Sequence, residues 1–263
     1  MAEFRNEENG EPHPLYHDRF VGLFLDEESK KAAANISRSF PPIRNNVRLR
    51  TRYFDDKLDQ QLRQGCRQVV ILGAGLDTRP QRMAAPGVVF FEIDAPGIQA
   101  FKKARLEERN IDPNTTFISG DYLTGSIIDR LTCRDFNVAL STFVIWEGNS
   151  MYLSDQSVRQ VLAALARDIQ NCTISFDYLA EAVIEGRTGD PEIANVVQRF
   201  AAMGAPWTYG INDPEALGAS CGFRVIETAT LADLHRAYWP GRELTSPLYD
   251  YYAVCTAQNQ AAG

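Results

Sequence analysis

The sequence predicts an α/β fold: a mostly parallel sheet flanked by helices, closed by an antiparallel strand pair at the C-terminus and capped by helices at the N-terminus. Three observations carry this. Five short apolar, β-branched runs alternate with helical patterns over residues 68–179, as parallel strands covered on both faces do. The alternation then stops, and two further strand-like runs end the chain. The first apolar run passes directly into Gly73-Ala74-Gly75, a turn in which a ligand can lie against backbone N–H groups.

Taken in order, residues 1–13 are polar and acidic and are expected to fray. From Leu15 to Ile36 the apolar spacing suits one or two short helices, which Pro41 and Pro42 break. Asn45 to Gln64 forms a longer helix with Val47, Leu49, Tyr53, Phe54, Leu58 and Leu62 on a stripe, and Gly65 stops it. Strands are expected at 68–73, 88–93, 115–119, 137–145 and 172–179, with helices at 98–109 and 155–169 among them. Residues 214–223 suit a short helix and 222–229 a strand. A polar loop with Pro240, Gly241 and Pro247 follows, and 249–257 is the last strand. With no helix expected between these two strands, they must pair antiparallel. The chain reads as one domain over 1–263, with 1–64 the helical extension or lid and 65–263 the core.

Composition narrows the function classes. The chain has 263 residues, 44% hydrophobic and 23% charged, which excludes disordered, fibrous and disulfide-scaffold proteins. A net charge of −7 argues against nucleic acid or an anionic membrane as the main partner. No apolar run reaches the ~20 residues of a spanning helix, and the acidic start is unlike a signal peptide. Five scattered cysteines without a C-x-x-C pair suit free thiols in a cytoplasmic protein. The three histidines, His13, His17 and His235, show no metal-ligand spacing, so no metal is expected.

The chemistry concentrates at the ends of the strands. The second expected strand ends in Glu92-Ile93-Asp94, nineteen residues after Gly75, where an acid accepts hydrogen bonds from a ribose diol. Nicotinamide and S-adenosylmethionine folds share this pair of features. A dinucleotide pyrophosphate asks for a third glycine where this chain has Thr78, followed by Arg79, so a ligand without phosphate fits better. Four arginines, Arg44, Arg48, Arg50 and Arg52, cluster just before the first strand of an acidic chain. A guanidinium there suits a carboxylate, and spacing alone does not say which one turns inward.

The runs RLRTRYFDD (48–56), VVILGAGLDTRPQRM (69–83), FEIDAPG (91–97), WEGNSMYL (146–153) and PLYDYYAV (247–254) resemble the leucine carboxyl methyltransferase-like family of S-adenosylmethionine (SAM)-dependent O-methyltransferases. The resemblance spans Leu15 to Val254 and implies a Rossmann-like class I methyltransferase fold with a seven-stranded sheet. It implies that Gly73, Ala74 and Gly75 line the cofactor, Asp94 holds the ribose, and Asp121 and Tyr122 meet the adenine. It also implies that Arg50, with Arg52 in reserve, meets the SAM carboxylate, and that Glu147 faces the ammonium and the substrate mouth. SAM is the expected cofactor, S-adenosylhomocysteine (SAH) its product, and methyl transfer an in-line displacement. For an acceptor that must lose a proton, the catalytic candidates are Glu147, Tyr152 and His17, with His235 also in view as a lid residue. Trp146, Trp207 and Tyr209 are candidate walls of an acceptor pocket.

Protein-directed members of that family carry longer chains around the substrate groove. The short inserts here therefore favour a small-molecule acceptor, a hydroxyl or carboxyl in natural-product tailoring, over a protein C-terminus. A non-catalytic SAM-binding module and an NAD(P)-dependent oxidoreductase are the remaining alternatives. Monomer and homodimer are equally open.

Overall fold

The structure, a computed structural model, describes residues 1–259. Seven strands form one sheet: β1 (Gln68–Leu72), β2 (Val89–Asp94), β3 (Thr115–Ser119), β4 (Thr142–Trp146), β5 (Cys172–Leu179), β6 (Phe223–Thr230) and β7 (Tyr252–Asn259). Their order across the sheet is β3-β2-β1-β4-β5-β7-β6, parallel from β3 to β5, with β7 antiparallel to both its neighbours. This is the expected Rossmann-like class I methyltransferase arrangement. The helices are α1 (Ala2–Glu8), α2 (Glu27–Ser39), α3 (Ile43–Arg63), α4 (Arg79–Arg82), α5 (Pro96–Glu107), α6 (Ile127–Thr132), α7 (Asp155–Asp168), α8 (Glu181–Ile184), α9 (Pro191–Ala202), α10 (Pro214–Ser220) and α11 (Leu231–Tyr238).

The central strands β1, β4 and β5 are buried along their whole length because each face covers a core. Val69 and Ile71 of β1, Phe90 of β2 and Phe143 and Ile145 of β4 bury one way. Val70, Leu72, Phe91, Ile93, Val144 and Trp146 bury the other way, as alternation along a strand requires. The first core also takes Phe4, Phe40, Val47, Leu49, Tyr53 and Phe54, so the N-terminal helices and the sheet share their apolar contacts. Among the described residues, no helix is long and apolar enough to cross a membrane, and the five cysteines are unpaired.

Four local expectations are corrected. Residues 1–13 do not simply fray: α1 buries Phe4 completely, and its last residue, Glu8, is ion-paired with Arg48 and accepts from the Leu15 N–H. β4 begins at Thr142 because Asn137 folds into a turn. Its Oδ1 accepts from the Ala139 N–H at 3.0 Å, while the Gln68 side chain bonds both its N–H and its carbonyl at 2.9 Å. The last strand starts at Tyr252, after a 3₁₀ turn over Pro247–Asp250 whose Leu248 N–H is capped by the Ser246 hydroxyl. Finally, β6 and β7 do pair antiparallel, yet α11 stands between them, opened by a Thr230–Asp233 capping box. His235 lies on α11, 1% exposed and edge-on to Trp239 at 5.5 Å, so it is a packed core side chain and not part of a mobile loop.

A candidate active site where the strand order reverses

In an open parallel sheet, ligands bind outside the carboxyl ends of the strands, where the order reverses. Here that point lies between β1 and β4. A cavity of about 310 Å³ sits there, lined by the segment Ile71–Asp77 that leaves β1, by Glu147, Gly148 and Asn149 that leave β4, by Val47 and Arg50 of α3, and by Met1, Ala2 and Arg5 of the N-terminal segment. A second cavity of about 70 Å³ shares Met1, Arg50 and Gly148 with it and is otherwise mostly apolar, with Phe40, Ile43, Met151, Phe200, Trp207 and Leu248 in its wall.

The turn after β1 needs its glycines. Gly73 has φ +62°, and a Cβ there would lie 2.5 Å from Asn149 Oδ1. Asn149 is fixed in that position, donating from Nδ2 to the Glu147 carbonyl at 2.7 Å and to the Leu72 carbonyl at 3.3 Å. The Gly75 N–H donates to the Asp94 carboxylate at the end of β2, and the Ala95 N–H donates to the other Asp94 oxygen. The same acid is thus held beside the glycine turn, ready to accept from a diol.

Below the turn lies a chain of ion pairs. Arg5 of α1 faces Asp18, which faces Arg82; Arg82 pairs with Asp55, and Asp55 with Arg79. Arg79 also holds Asp77 and Glu147, and Glu147 is shared with Arg50, which reaches Asp177 on β5. Arg79, wholly buried, gives Nε to Asp55 Oδ1 at 2.7 Å and Nη1 to Glu147 Oε2 at 2.8 Å. Arg50 gives Nε to Glu147 Oε1 at 3.1 Å, and Nη1 to Asp177 Oδ2 at 3.2 Å and to the Tyr252 hydroxyl at 2.8 Å. Burial opposes charge on Asp77, yet Arg79, Arg5 and Lys102 overcome it and hold its carboxyl at about 2. Burial pushes the Asp177 carboxyl up against the pull of Arg50. The Tyr252 phenol is held well above its usual value, first by burial and then, against Arg50, by the neighbouring Asp177. It therefore stays a donor, and it donates to Asp177.

Of the residues expected from sequence, Arg50, Gly73, Ala74, Gly75 and Glu147 meet at the larger cavity. Arg50 lines it and Arg52 does not: Arg52 pairs with Asp56 one turn on, more than a third exposed. Asp94 stands at its edge through Gly75. Asp121 and Tyr122 lie in the loop after β3, outside its lining. Asp121 is exposed and caps the Leu123 N–H, while Tyr122 accepts from Trp146 Nε1 at 3.1 Å and donates to Asn149 Oδ1 at 3.3 Å. Tyr152 lines the smaller cavity from a 3₁₀ turn, with Trp207 Nε1 3.4 Å from its hydroxyl. His17 is exposed and lines neither cavity, so the geometry gives it no catalytic place. Trp207 is a wall of the smaller cavity as expected, but Trp146 is buried in the opposite core and Tyr209 bonds Asp155. Arg79 and Asn149 lie in the runs VVILGAGLDTRPQRM and WEGNSMYL, which gave neither a role, and nothing in the sequence singles out Arg5. Asp177 carries a signal, an acid inside a buried apolar strand, and Tyr252 lies in the PLYDYYAV run.

Comparison with known proteins agrees with this architecture. A candidate SAM-dependent methyltransferase of Frankia alni is 28% identical over 97% of this chain and 91% of its own length. One of Mycolicibacterium vanbaalenii is 37% identical over 44% of this chain and 40% of its own length. A candidate methyltransferase structure from Thermobifida fusca superposes with a TM-score of 0.64 at 16% identity, over 99% of this chain and 95% of that one. The SAH-bound magnesium protoporphyrin IX methyltransferase of Synechocystis PCC 6803 superposes at 0.53 and 12% identity, over 83% and 87% of the two chains. The leucine carboxyl methyltransferase family matches residues 1–166. With 166 of 263 residues matched and the glycine turn, Asp94 and Arg50 inside the match, the chain belongs to the leucine carboxyl methyltransferase family, and with it to the SAM-dependent methyltransferases.

Proposed function

We propose that the protein methylates an oxygen of a small-molecule acceptor, with SAM in the larger cavity and the acceptor's reacting group in the smaller one. The observation that carries this is the meeting of the two cavities at Arg50 and Gly148. One chamber is rimmed by charge and by the glycine turn, the other walled by aromatic and aliphatic side chains.

The residues present fit the cofactor. SAM carries a carboxylate, an ammonium, a sulfonium and a ribose diol. Arg50 suits the carboxylate, Glu147 the ammonium, and Asp94 the diol, while Gly73 and Gly75 leave backbone free to approach it. When bound, SAM supplies an electrophilic methyl on sulfur. The chain's own work is to orient and to exclude water: α1 covers the larger cavity with Met1, Ala2 and Arg5, and Phe200, Trp207 and Met151 wall the smaller one. Holding the acceptor oxygen opposite the sulfur replaces a collision by a fixed near-attack geometry. For a hydroxyl acceptor, Glu147 of the larger cavity and Tyr152 of the smaller one are the catalytic candidates that line the two cavities. Glu147 already accepts from two arginines, so its role is first to hold Arg50 in place. The short inserts of the chain favour a small molecule over a protein C-terminus, and a tailoring role in natural-product chemistry goes with that reading.

Calorimetric titration with SAM and SAH tests the cofactor half; failure of folded protein to bind either would remove the proposal. Incubation with labelled SAM and a small-molecule extract, followed by mass analysis, tests the acceptor half. Label appearing only in protein would favour carboxyl methylation of a polypeptide instead.

A further inference from the structure

One face of α3 presents Ile43, Asn46, Val47 and Arg50 at helical spacing toward the site. Ile43 and Asn46 line the smaller cavity, Val47 the larger, and Arg50 both. Asn46 is out of place on that face. It is 1% exposed, in a wall otherwise formed largely by Phe40, Ile43, Met151, Phe200, Trp207 and Leu248, and its Oδ1 is fully buried with no donor within reach. Of its polar neighbours on the smaller cavity, Arg50 is engaged by Glu147, Asp177 and Tyr252, and the Tyr152 hydroxyl accepts from Trp207 Nε1.

A buried amide oxygen without a donor costs roughly 1–3 kcal/mol, and native proteins pair nearly all such groups. Asparagine is also a poorer helix former than leucine, which would fill the same space with apolar contact. Fold stability therefore gives no reason for asparagine here, whereas a bound molecule does. We infer that Asn46 selects the acceptor: its Oδ1 accepts a hydrogen bond from an un-ionised hydroxyl carried by the methylated molecule. This rests on the cavity assignment under Proposed function and adds to it the chemical class of the acceptor, a hydroxyl compound with an apolar body. A carboxylate has no proton to offer Oδ1. A cavity of about 70 Å³ takes the reacting group and adjoining atoms, and a larger body must move the lid at Met1 or Phe40.

The test uses SAH-loaded protein and three probes of similar shape: phenol, toluene and benzoate. Phenol and toluene differ by a hydroxyl against a methyl, so any lid displacement cancels between them. Saturation-transfer NMR titrations give the phenol-to-toluene affinity ratio for wild type and for Asn46→Leu. The ratio should fall about tenfold in the variant, equivalent to about 1.4 kcal/mol, while SAH affinity is retained and the melting temperature is equal or higher. A gain in stability with loss of selectivity is the mark of a binding residue and not of a structural one. An unchanged ratio in a variant that still binds SAH overturns the inference, and so does a selective loss of benzoate, which would mean the amide donates. Failure of the wild type to bind SAH would instead remove the cavity assignment itself.

Discussion

Arg79→Met is the sharpest perturbation of this site. The side chain is wholly buried and gives hydrogen bonds to Asp55, Asp77 and Glu147, with its guanidinium 5.6 Å from the Phe54 ring centre. Methionine keeps the stem and that packing but deletes the cation. Asp55 retains two bonds from Arg82 and Glu147 retains Arg50, so neither is orphaned, whereas Asp77 loses its closest cation. Removing one member of a buried ion network costs roughly 3–5 kcal/mol, because the partners stay desolvated. At about 2–4 °C per kcal/mol for a domain of this size, the melting temperature should drop by about 6–20 °C. The pH dependence gives an independent check. A carboxylate depressed to about 2 in the folded state, as Asp77 is, contributes stability that is present above its unfolded value near 4 and is lost as pH falls through about 2. Without Arg79 that depression shrinks, so the gap between wild type and variant should narrow from pH 7 toward pH 3. Arg79→Lys should recover less than half of the loss, since one ammonium cannot span three carboxylates. Thermal unfolding by circular dichroism at several pH values decides it. A variant within about 1 kcal/mol of wild type, or a gap that ignores pH, would refute the reasoning that charge pairing holds this site together.

Three further outcomes are expected. Asp94→Ala removes the acid at the end of β2 and should weaken SAM binding by roughly 10–100-fold by calorimetry, as loss of charged hydrogen bonds to a diol requires, with little change in fold. Gly73→Ala places a Cβ 2.5 Å from Asn149 Oδ1 at φ +62°. It should lower stability by roughly 1–3 kcal/mol in denaturant titration and abolish cofactor binding. Phe4→Ala empties the anchor of α1 and should cost roughly 3–5 kcal/mol, with faster proteolysis of the N-terminal segment and weaker SAM binding in the same preparation.

The sheet was legible because its central strands are buried on both faces: the runs that form β1, β2, β4 and β5 are mostly apolar, and a helix cannot account for runs so short, whereas the edge strand β3 has only Phe117 and Ile118 to mark it. The site was legible where chemistry is local in sequence, as in Gly73-Ala74-Gly75 and in Asp94 nineteen residues on. What escaped was tertiary. Arg5 and Asp18, Asp55 and Arg82, or Arg50 and Asp177 lie far apart along the chain and meet only when α1, α3 and β5 converge. The burial of α1 escaped because a single Phe4 in an acidic stretch gives no periodicity, and the ion pairs of Arg5, Glu7 and Glu8 that dock the helix reach partners distant in sequence. The helix between β6 and β7 had a local signal, the Thr230–Asp233 capping box, in a stretch whose flanking prolines and glycine point to loop.

With the cofactor in the larger cavity, as proposed, the ion chain also contributes to the charge it would meet. Four cations, Arg5, Arg50, Arg79 and Arg82, stand against five anions, Asp18, Asp55, Asp77, Glu147 and Asp177, for a formal charge of −1. SAM carries one more positive charge than SAH, at the sulfur, so a negative surplus along this chain would contribute in favour of the substrate form of the cofactor over its product. Glu147→Gln makes the chain neutral while keeping a side chain of the same shape. At a working separation of about 7 Å and an effective dielectric constant of about 20, one unit charge is worth about 2 kcal/mol to the sulfonium. The affinity for SAM relative to SAH should therefore fall by roughly 5–30-fold in the variant, more at low salt than at high. Parallel calorimetric titrations with both ligands at two ionic strengths measure that ratio directly. If Glu147→Gln weakens SAM and SAH equally, the carboxylate acts only through Arg50 and the shared ammonium, and the surplus charge plays no part in telling the two apart.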